Sequence, residues 1–450
     1  MNKNDRMRMM AELPVHEVLI RMSLPMMISF FIQAMYNIVD SMFVARISER
    51  ALTAVSLAFP MQMIVTAIAV GTATGVSAVW SKAMGMGDRA RASAAIRTMT
   101  GMSLMFTALF VALGLCASRP LFGLQTDAAD IAEMGTVYLT INWVFSVGSI
   151  FSKYYERLLV SAGRSTLSMA AMASGAVFNL IFDPLLIFGI GPFPEMGIAG
   201  AAIATVGGQI FSALVAIALN MHYNEAVRRD MLRPAFHPEA AVEIMRVGLP
   251  SIITSGLSSL TSFFINQILL DYSTTATAVY GVWLKLQNFC YMPTFGLNNG
   301  MVPILAYNYG TGRMDRVKQT MKLALCGCAA LMGALMVLFE LIPGAILTMF
   351  SAGEQMRQIG MVCLRACVVS LPFGAVSMIL STSMQALDHS RFAMLINMLR
   401  QCVLIVASFA VLSAVTHSAY LIWLAVPFTE IVTFLVSLVL MRRMRADLNM

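Results

Sequence analysis

The sequence predicts an all-α polytopic membrane protein with 12 transmembrane helices, arranged as two six-helix lobes related by a pseudo-two-fold along the membrane normal. Three observations carry that reading. The 450 residues are 58% hydrophobic and only 12% charged, with a mean hydropathy of +0.77. Apolar runs of about 20 residues recur along the whole chain, the length a helix needs to cross roughly 30 Å of hydrocarbon. A single shift of 225 residues maps Pro25 to Pro250, Gln62 to Gln287, Gly71 to Gly296, Gly75 to Gly300, Gly85 to Gly310 and Gly87 to Gly312. A β-barrel would show short alternating segments instead.

The first run, 18–45, follows the polar start "MNKNDRMRMM". It is expected to act as an uncleaved signal anchor rather than a cleaved leader. Short polar loops then separate spans at 52–80, 93–117, 132–152, 159–190 and 197–221. The longest polar stretch, "MHYNEAVRRDMLRPAFHPEAAVEIMR", supplies a linker at 222–241 that divides a first lobe, 1–221, from a second, 242–450. Beyond it the runs fall at 242–270, 277–306, 318–341, 357–382, 391–413 and 418–440. The repeat shift covers six spans, an even number, so both lobes share one orientation, with a cleft between them.

Charge placement sets the topology. With both termini cytoplasmic, 23 of the 30 Lys and Arg residues, Lys3, Arg6, Arg8, Lys153, Arg157 and Arg164 among them, fall on the cytoplasmic side. The opposite loops hold only Arg46, Arg50, Arg119 and Arg357, while Lys285, Arg365 and Arg400 lie inside spans. That is the positive-inside asymmetry. The net charge of +7 is therefore a topology signal and not a nucleic-acid footprint. The seven cysteines sit in apolar stretches and read as free buried thiols. The 39 methionines read mainly as helix-contact residues. His16, His222, His237 and His417 read as loop or interface residues, and His389 as part of a turn. The loops "GMGDRARA" and "GTGRMDRV" lack the Gly-Lys-Ser/Thr ending of a phosphate cradle, so an ATP-driven pump is not expected. No Ser/His/Asp or Cys/His arrangement is present, so an enzyme is not expected either.

The polar groups inside the spans are the informative ones. Asp40 lies about seven residues before the outer end of the first span, with Tyr36 and Asn37 on its helix face and Gln33 two turns back. Asn179 and Asp183 are four apart on the fifth span. Thr205 lies about eight residues into the sixth, and Tyr138 about eight into the fourth. At 1.5 Å per residue these groups sit roughly 12 Å below one surface. A carboxylate there costs at least ~2.5 kcal/mol on insertion scales. It persists when protonated, ion-bound or facing water, or as a structural hydrogen-bonding group between helices. Hard oxygen ligands suit Na⁺ or a proton, and two neighbouring carboxylates raise each other's proton affinity. A Na⁺ would be held by Asp40, Asn179, Asp183 and Thr205. The shift maps Asp40 to Ile265, Asp183 to Ser408 and Thr205 to Glu430, so the acidic cluster is not duplicated. Glu430 either faces the cleft, to meet a cationic substrate, or pairs with Lys285 or Arg400. Cleft candidates are Gln33, Tyr36, Asn37, Lys285 and Glu430.

The pieces "SLPMMISFFIQAMYNIVDSMFVA", "FNLIFDPLLIFG", "GIAGAAIATVGGQ", "GLPSIITSGLSSLTSFFINQILL" and "GMVPILAYNYGTGR" resemble the MATE (multidrug and toxic compound extrusion) family along the whole chain, nearest its DinF/MepA-like bacterial members. The resemblance implies secondary antiport of amphipathic, often cationic, compounds out of a bacterial cell across its cytoplasmic membrane. The driving ion would be H⁺ or Na⁺, without a cofactor, and a monomer would suffice. It implies a first-lobe cation site at Asp40, Tyr138, Asn179, Asp183 and Thr205. The Glu that NorM-type members carry on the seventh span is absent, which favours first-lobe coupling. Two other readings stay open: a flippase for lipid-linked sugars, which would want a cleft ringed with cations, and an intramembrane enzyme using paired carboxylates.

Overall fold

A computed structural model describes residues 12–126, 128–231, 233–270, 274–349, 354–416, 418 and 420–447. Lys3, Arg6, Arg8 and His417 lie outside these. The described chain is helical and contains no strand. The helices of the first lobe are α1 (Val15–Ile47), α2 (Glu49–Met86), α3 (Arg89–Cys116), α4 in two pieces (Ala129–Val144 and Val147–Ser161), α5 (Ser165–Phe188) and α6 (Gly197–Tyr223). Those of the second are α7 (Pro238–Leu270), α8 (Thr274–Gly310), α9 (Met314–Leu341), α10 in two pieces (Glu354–Val368 and Leu371–Ala386), α11 and α12. α11 runs as Ser390–Met398, a π-helical turn at Leu399–Val403, and Leu404–Thr416; α12 runs from a 3₁₀ turn at Leu421–Leu424 through Ala425–Asp447.

Eleven of these twelve are long and apolar enough to cross a bilayer once each bent pair is taken as one span. The twelfth, α8, has 37 residues, about 55 Å at 1.5 Å per residue. It is less apolar because Gln287, Asn288, Asn298 and Asn299 turn toward an internal cavity. Large apolar side chains such as Ile20, Leu24, Leu115 and Val415 lie on the outer surface, as a helix facing lipid requires.

The fourth span differs from its sequence reading. It does not end at 152: the helix continues to Ser161, and the turn is at Ala162–Arg164. Lys153 and Arg157 are thus not loop residues. Lys153 is tolerated inside because its charge is compensated there: it pairs with Glu156 at 3.5 Å, and Glu156 accepts a hydrogen bond from Ser212 Oγ at 2.7 Å. The bend between the pieces of α4 is 44°, and that in α10 is 43°. The breaks follow Val144 and Val368, nearly one repeat apart, so the duplication extends to helix irregularities.

The duplicated glycines lie where the lobes meet. Gly71 and Gly75 of α2 form one small-xxx-small pair against α7, and Gly296 and Gly300 of α8 form the equivalent pair against α1. A Cβ on Gly75 would stand 2.2 Å from the Ile244 carbonyl oxygen, and one on Gly71 would stand 2.9 Å from that of Gly248. On Gly296 it would stand 2.5 Å from Met27 N, and on Gly300 2.8 Å from Ser23 Cα. Gly85 and Gly310 then meet across the pseudo-axis, each against the other helix's backbone. Gly87 and Gly312 follow at φ 75° and 72°, the left-handed conformation that ends a helix most readily at glycine. At this same end Arg91 pairs with Glu243 at 2.5 Å, and Lys82 pairs with Asp388. The lobes are sealed together at the end carrying these glycine turns.

Candidate functional site: a carboxylate cluster and a polar cleft

The first lobe gathers the intramembrane polar groups that shared a depth. Asp183, fully buried at 0% exposure, sits on α5 one turn beyond Asn179, whose Nδ2 donates to Asp183 Oδ1 at 3.2 Å. The same amide reaches Thr205 Oγ1 of α6 at 3.5 Å. From α1, the Asp40 carboxyl lies close enough to Asp183 for the two groups to interact. Tyr36 of α1 and Tyr138 of α4 interact with both carboxyls, and Tyr138 is within reach of Gln62 of α2. The close packing behind the cluster is local sequence at work: Gly175 of α5 and Gly208 of α6 face each other so closely that a Cβ on either would lie 2.7 Å from the other's carbonyl oxygen.

Two cluster atoms, Asp40 Oδ1 and Asp183 Oδ2, are buried without a hydrogen-bond partner. An orphaned carboxyl oxygen in a buried site is costly, and it is the feature a proton or a small hard cation would relieve. Turning the Asn179 amide over would offer its oxygen where the nitrogen now stands, so the same groups fit either ion. Among the described residues no three His, Cys, Asp or Glu side chains gather; a cation here would rest on two carboxylates, an amide and a hydroxyl.

The second feature is a central cleft with a cavity of about 470 Å³. Val70, Thr74 and Arg157 line it from the first lobe, and α7, α8, α10, α11 and α12 line the rest. Glu430 is in that lining, paired with Arg400: the guanidinium Nε donates to Glu430 Oε1 at 2.9 Å and to Oε2 at 2.8 Å. Arg400 sits in the π-helical turn of α11, a local widening that re-aims a side chain, and stacks 5.3 Å from the Tyr291 ring. Gly374 makes room for the trio: a Cβ there would stand 2.2 Å from Tyr291 Oη and 2.9 Å from Glu430 Oε2. Of the two partners open for Glu430, the structure selects Arg400. Gln33, Tyr36, Asn37 and Lys285 are not in the cavity lining; Tyr36 belongs with the carboxylate cluster, and Asn37 and Lys285 are exposed.

Sequence reasoning missed Glu156, Arg157 and Gln62. The signal was there. "VGSIFSKYYERLLVSAG" contains no Gly, Pro, Asn or Asp between its Gly148 and Gly163, so its charges belong to a continuous helix.

Comparison with known proteins decides the family. The MatE family model matches residues 25–185 and 250–412, two copies whose starts are 225 residues apart. This chain belongs to the MatE family. The MatE protein is similar to an FAD transporter of Shewanella oneidensis, 27% identical over 426 residues, covering 93% of this chain and 92% of the relative. It is also similar to the multidrug export protein MepA of Staphylococcus aureus, 23% identical over 424 residues and covering 94% and 92%. Its fold matches a structure described as the outward-facing conformation of a multidrug resistance MATE family transporter, with a TM-score of 0.88, 22% identity and 98% of each chain covered. The MATE resemblance, the two-lobed twelve-helix fold and the absence of an enzymatic role are borne out. This MatE protein is a multi-pass membrane transporter of small molecules.

Proposed function

We propose that this protein is a secondary active exporter of amphipathic small molecules, driven by entry of H⁺ or Na⁺ at the Asp40–Asp183 cluster. The observation that carries it is the pair of facing carboxyls with unpartnered oxygens, isolated inside one lobe, beside a polar cleft that both lobes line. Loading an ion there removes charge from a buried site. Only differential affinity between two conformations can drive alternation, and a carboxyl pair that differs in exposure between them supplies it. The sealed glycine-turn end is the cytoplasmic one by the positive-inside placement of Lys and Arg, with both termini on that side of a bacterial cytoplasmic membrane. The conformation described here is then open to the outside. The carboxylate cluster lies in the unsealed half. The relatives named for multidrug export and for FAD transport support a substrate range of organic molecules that need not share one charge.

The test is ethidium movement in proteoliposomes under a proton gradient or a sodium gradient, each imposed alone. We expect one gradient to drive transport and Asp40→Asn and Asp183→Asn each to abolish the coupled component, at least tenfold. Coupled transport that survives in both variants would sink the assignment and make the cluster a structural contact between helices.

A further inference from the structure

Arg157 is a buried cation, 8% exposed, and lines the cleft from the first lobe beside Val70 and Thr74 of α2. Its guanidinium donates to Thr74 Oγ1 at 3.3 Å and to the Asn299 carbonyl at 3.4 Å. Both bonds are long and both acceptors are neutral. Among the described residues no carboxylate lies within ion-pair distance of it. Its neighbour Glu156 is committed to the other face of α4, where Lys153 at 3.5 Å and Ser212 at 2.7 Å hold it. A buried guanidinium without an ion-pair partner is costly to maintain, and with five N–H donors it has capacity to spare.

The rest of the cavity agrees. Among the described residues its only other charged lining residues are Arg400 and Glu430, which neutralise one another. Within that pair both hydrogen bonds to Glu430 come from Nε. The lining therefore carries two guanidiniums against one carboxylate. It adds the amides of Gln287, Asn288, Asn298 and Gln401, with Asn298 Oδ1 buried and unpartnered. Tyr280, Trp283 and Phe295 supply aromatic surface in the same wall.

We propose that the cleft contains an anion subsite centred on Arg157, which binds the phosphate or carboxylate group of an organic anion whose planar body lies against the aromatic wall. This rests on the reading of the cleft as the substrate site. It does not rest on ion coupling. Arginine suits the role because its planar fork matches phosphate and carboxylate oxygens.

The probes are riboflavin and riboflavin 5′-phosphate, which share one ring system and differ by a phosphate. Binding is read as flavin fluorescence anisotropy on the full chain in nanodiscs of phosphatidylcholine, with no gradient imposed. The result is thus independent of whether the carboxylate cluster couples transport. Wild type is expected to bind the phosphate form about tenfold to a hundredfold tighter, the effect of one charge-assisted hydrogen bond, with the preference shrinking as salt rises. Arg157→Gln is expected to bind both flavins alike, and Arg157→Lys to keep part of the preference. Elution as a single species and the melting temperature check that each variant is folded; if Arg157→Gln is not, Arg157→Lys and the salt dependence of wild type carry the test. Replacing phosphatidylcholine by phosphatidylglycerol distinguishes the source of the anion. Competition by phosphatidylglycerol assigns the subsite to a lipid headgroup, and no competition assigns it to a soluble substrate. Equal binding of both flavins by wild type, no binding of either, or an undiminished preference in Arg157→Gln would overturn the proposal and leave Arg157 as a strap between α4 and α8.

Discussion

Glu430 and Asp183 are both buried carboxyls, 5% and 0% exposed, yet only Glu430 has a guanidinium beside it. The difference sets a paired charge apart from the carboxyl where the proposed ion would load. Removing one partner of a buried pair strands the other, a loss of about 3–5 kcal/mol, whereas replacing both by apolar residues is often neutral. Glu430→Gln is therefore expected to lower stability by about 3 kcal/mol, and Arg400→Leu with Glu430→Leu to regain most of it, read by thermal unfolding in detergent. A loss below about 1 kcal/mol in the single variant would show that cleft water already solvates Arg400. Asp183→Asn, by contrast, leaves no opposite charge stranded and should fold with near wild-type stability while losing coupling. The pattern of one variant impaired in stability and the other in transport tests the division of roles.

Among the elements, the two glycine pairs decide how closely the lobes approach. Backbone meets backbone at α2/α7 and at α8/α1, so there is no flexible side chain to yield. Overpacking of a tight contact costs about 1–3 kcal/mol. Gly75→Val, whose Cβ alone would fall 2.2 Å from the Ile244 carbonyl oxygen, is expected to reach the upper end of that range and to slow transport. Gly333→Val on α9, where nothing lies within 4 Å, is the matched control and should be tolerated. If the two variants unfold at the same temperature, the crossing is looser than described. The bends of α4 and α10 belong to this scale too. They recur one repeat apart although Pro372 marks only the second, so the packing of the lobe holds the angle and not one residue type.

For the whole molecule, the seal at the glycine-turn end combines helix packing with the Arg91–Glu243 and Lys82–Asp388 pairs. Half-exposed pairs of this kind contribute about 0–1 kcal/mol each, too little to hold the lobes without the seams. Neutralising both, as Glu243→Gln with Asp388→Asn, is expected to change the melting temperature by no more than a few degrees. It should change transport rate more than stability, because a small bias acts directly on an equilibrium between two conformations. A fall in melting temperature comparable with that of Gly75→Val would make the ion pairs, and not the glycines, the main fastening.

The number of spans, the duplication, the asymmetry of the acid cluster and the choice of Asp40, Asn179, Asp183 and Thr205 as a group followed from the sequence by itself. Each depends on properties local to a helix: apolar length, spacing along one face, depth from an end. Tyr138 was legible by the same depth argument, and the structure places it near both carboxyls. Tertiary structure alone decided what each charge meets. Ending the fourth span at 152, which put Lys153 and Arg157 beyond it, was the natural error of judging charges by type, since a helix interior admits a charge that finds polar partners there, as Lys153 does in Glu156 and Arg157 in Thr74 and Asn299. Arg400 and Glu430 lie 30 residues apart, and nothing local distinguishes that pairing from one with Lys285. The repeated glycines were legible as a repeat and not as a seam, because a glycine's function lies in the backbone it allows to approach. Which backbone that is depends on how the two lobes pack.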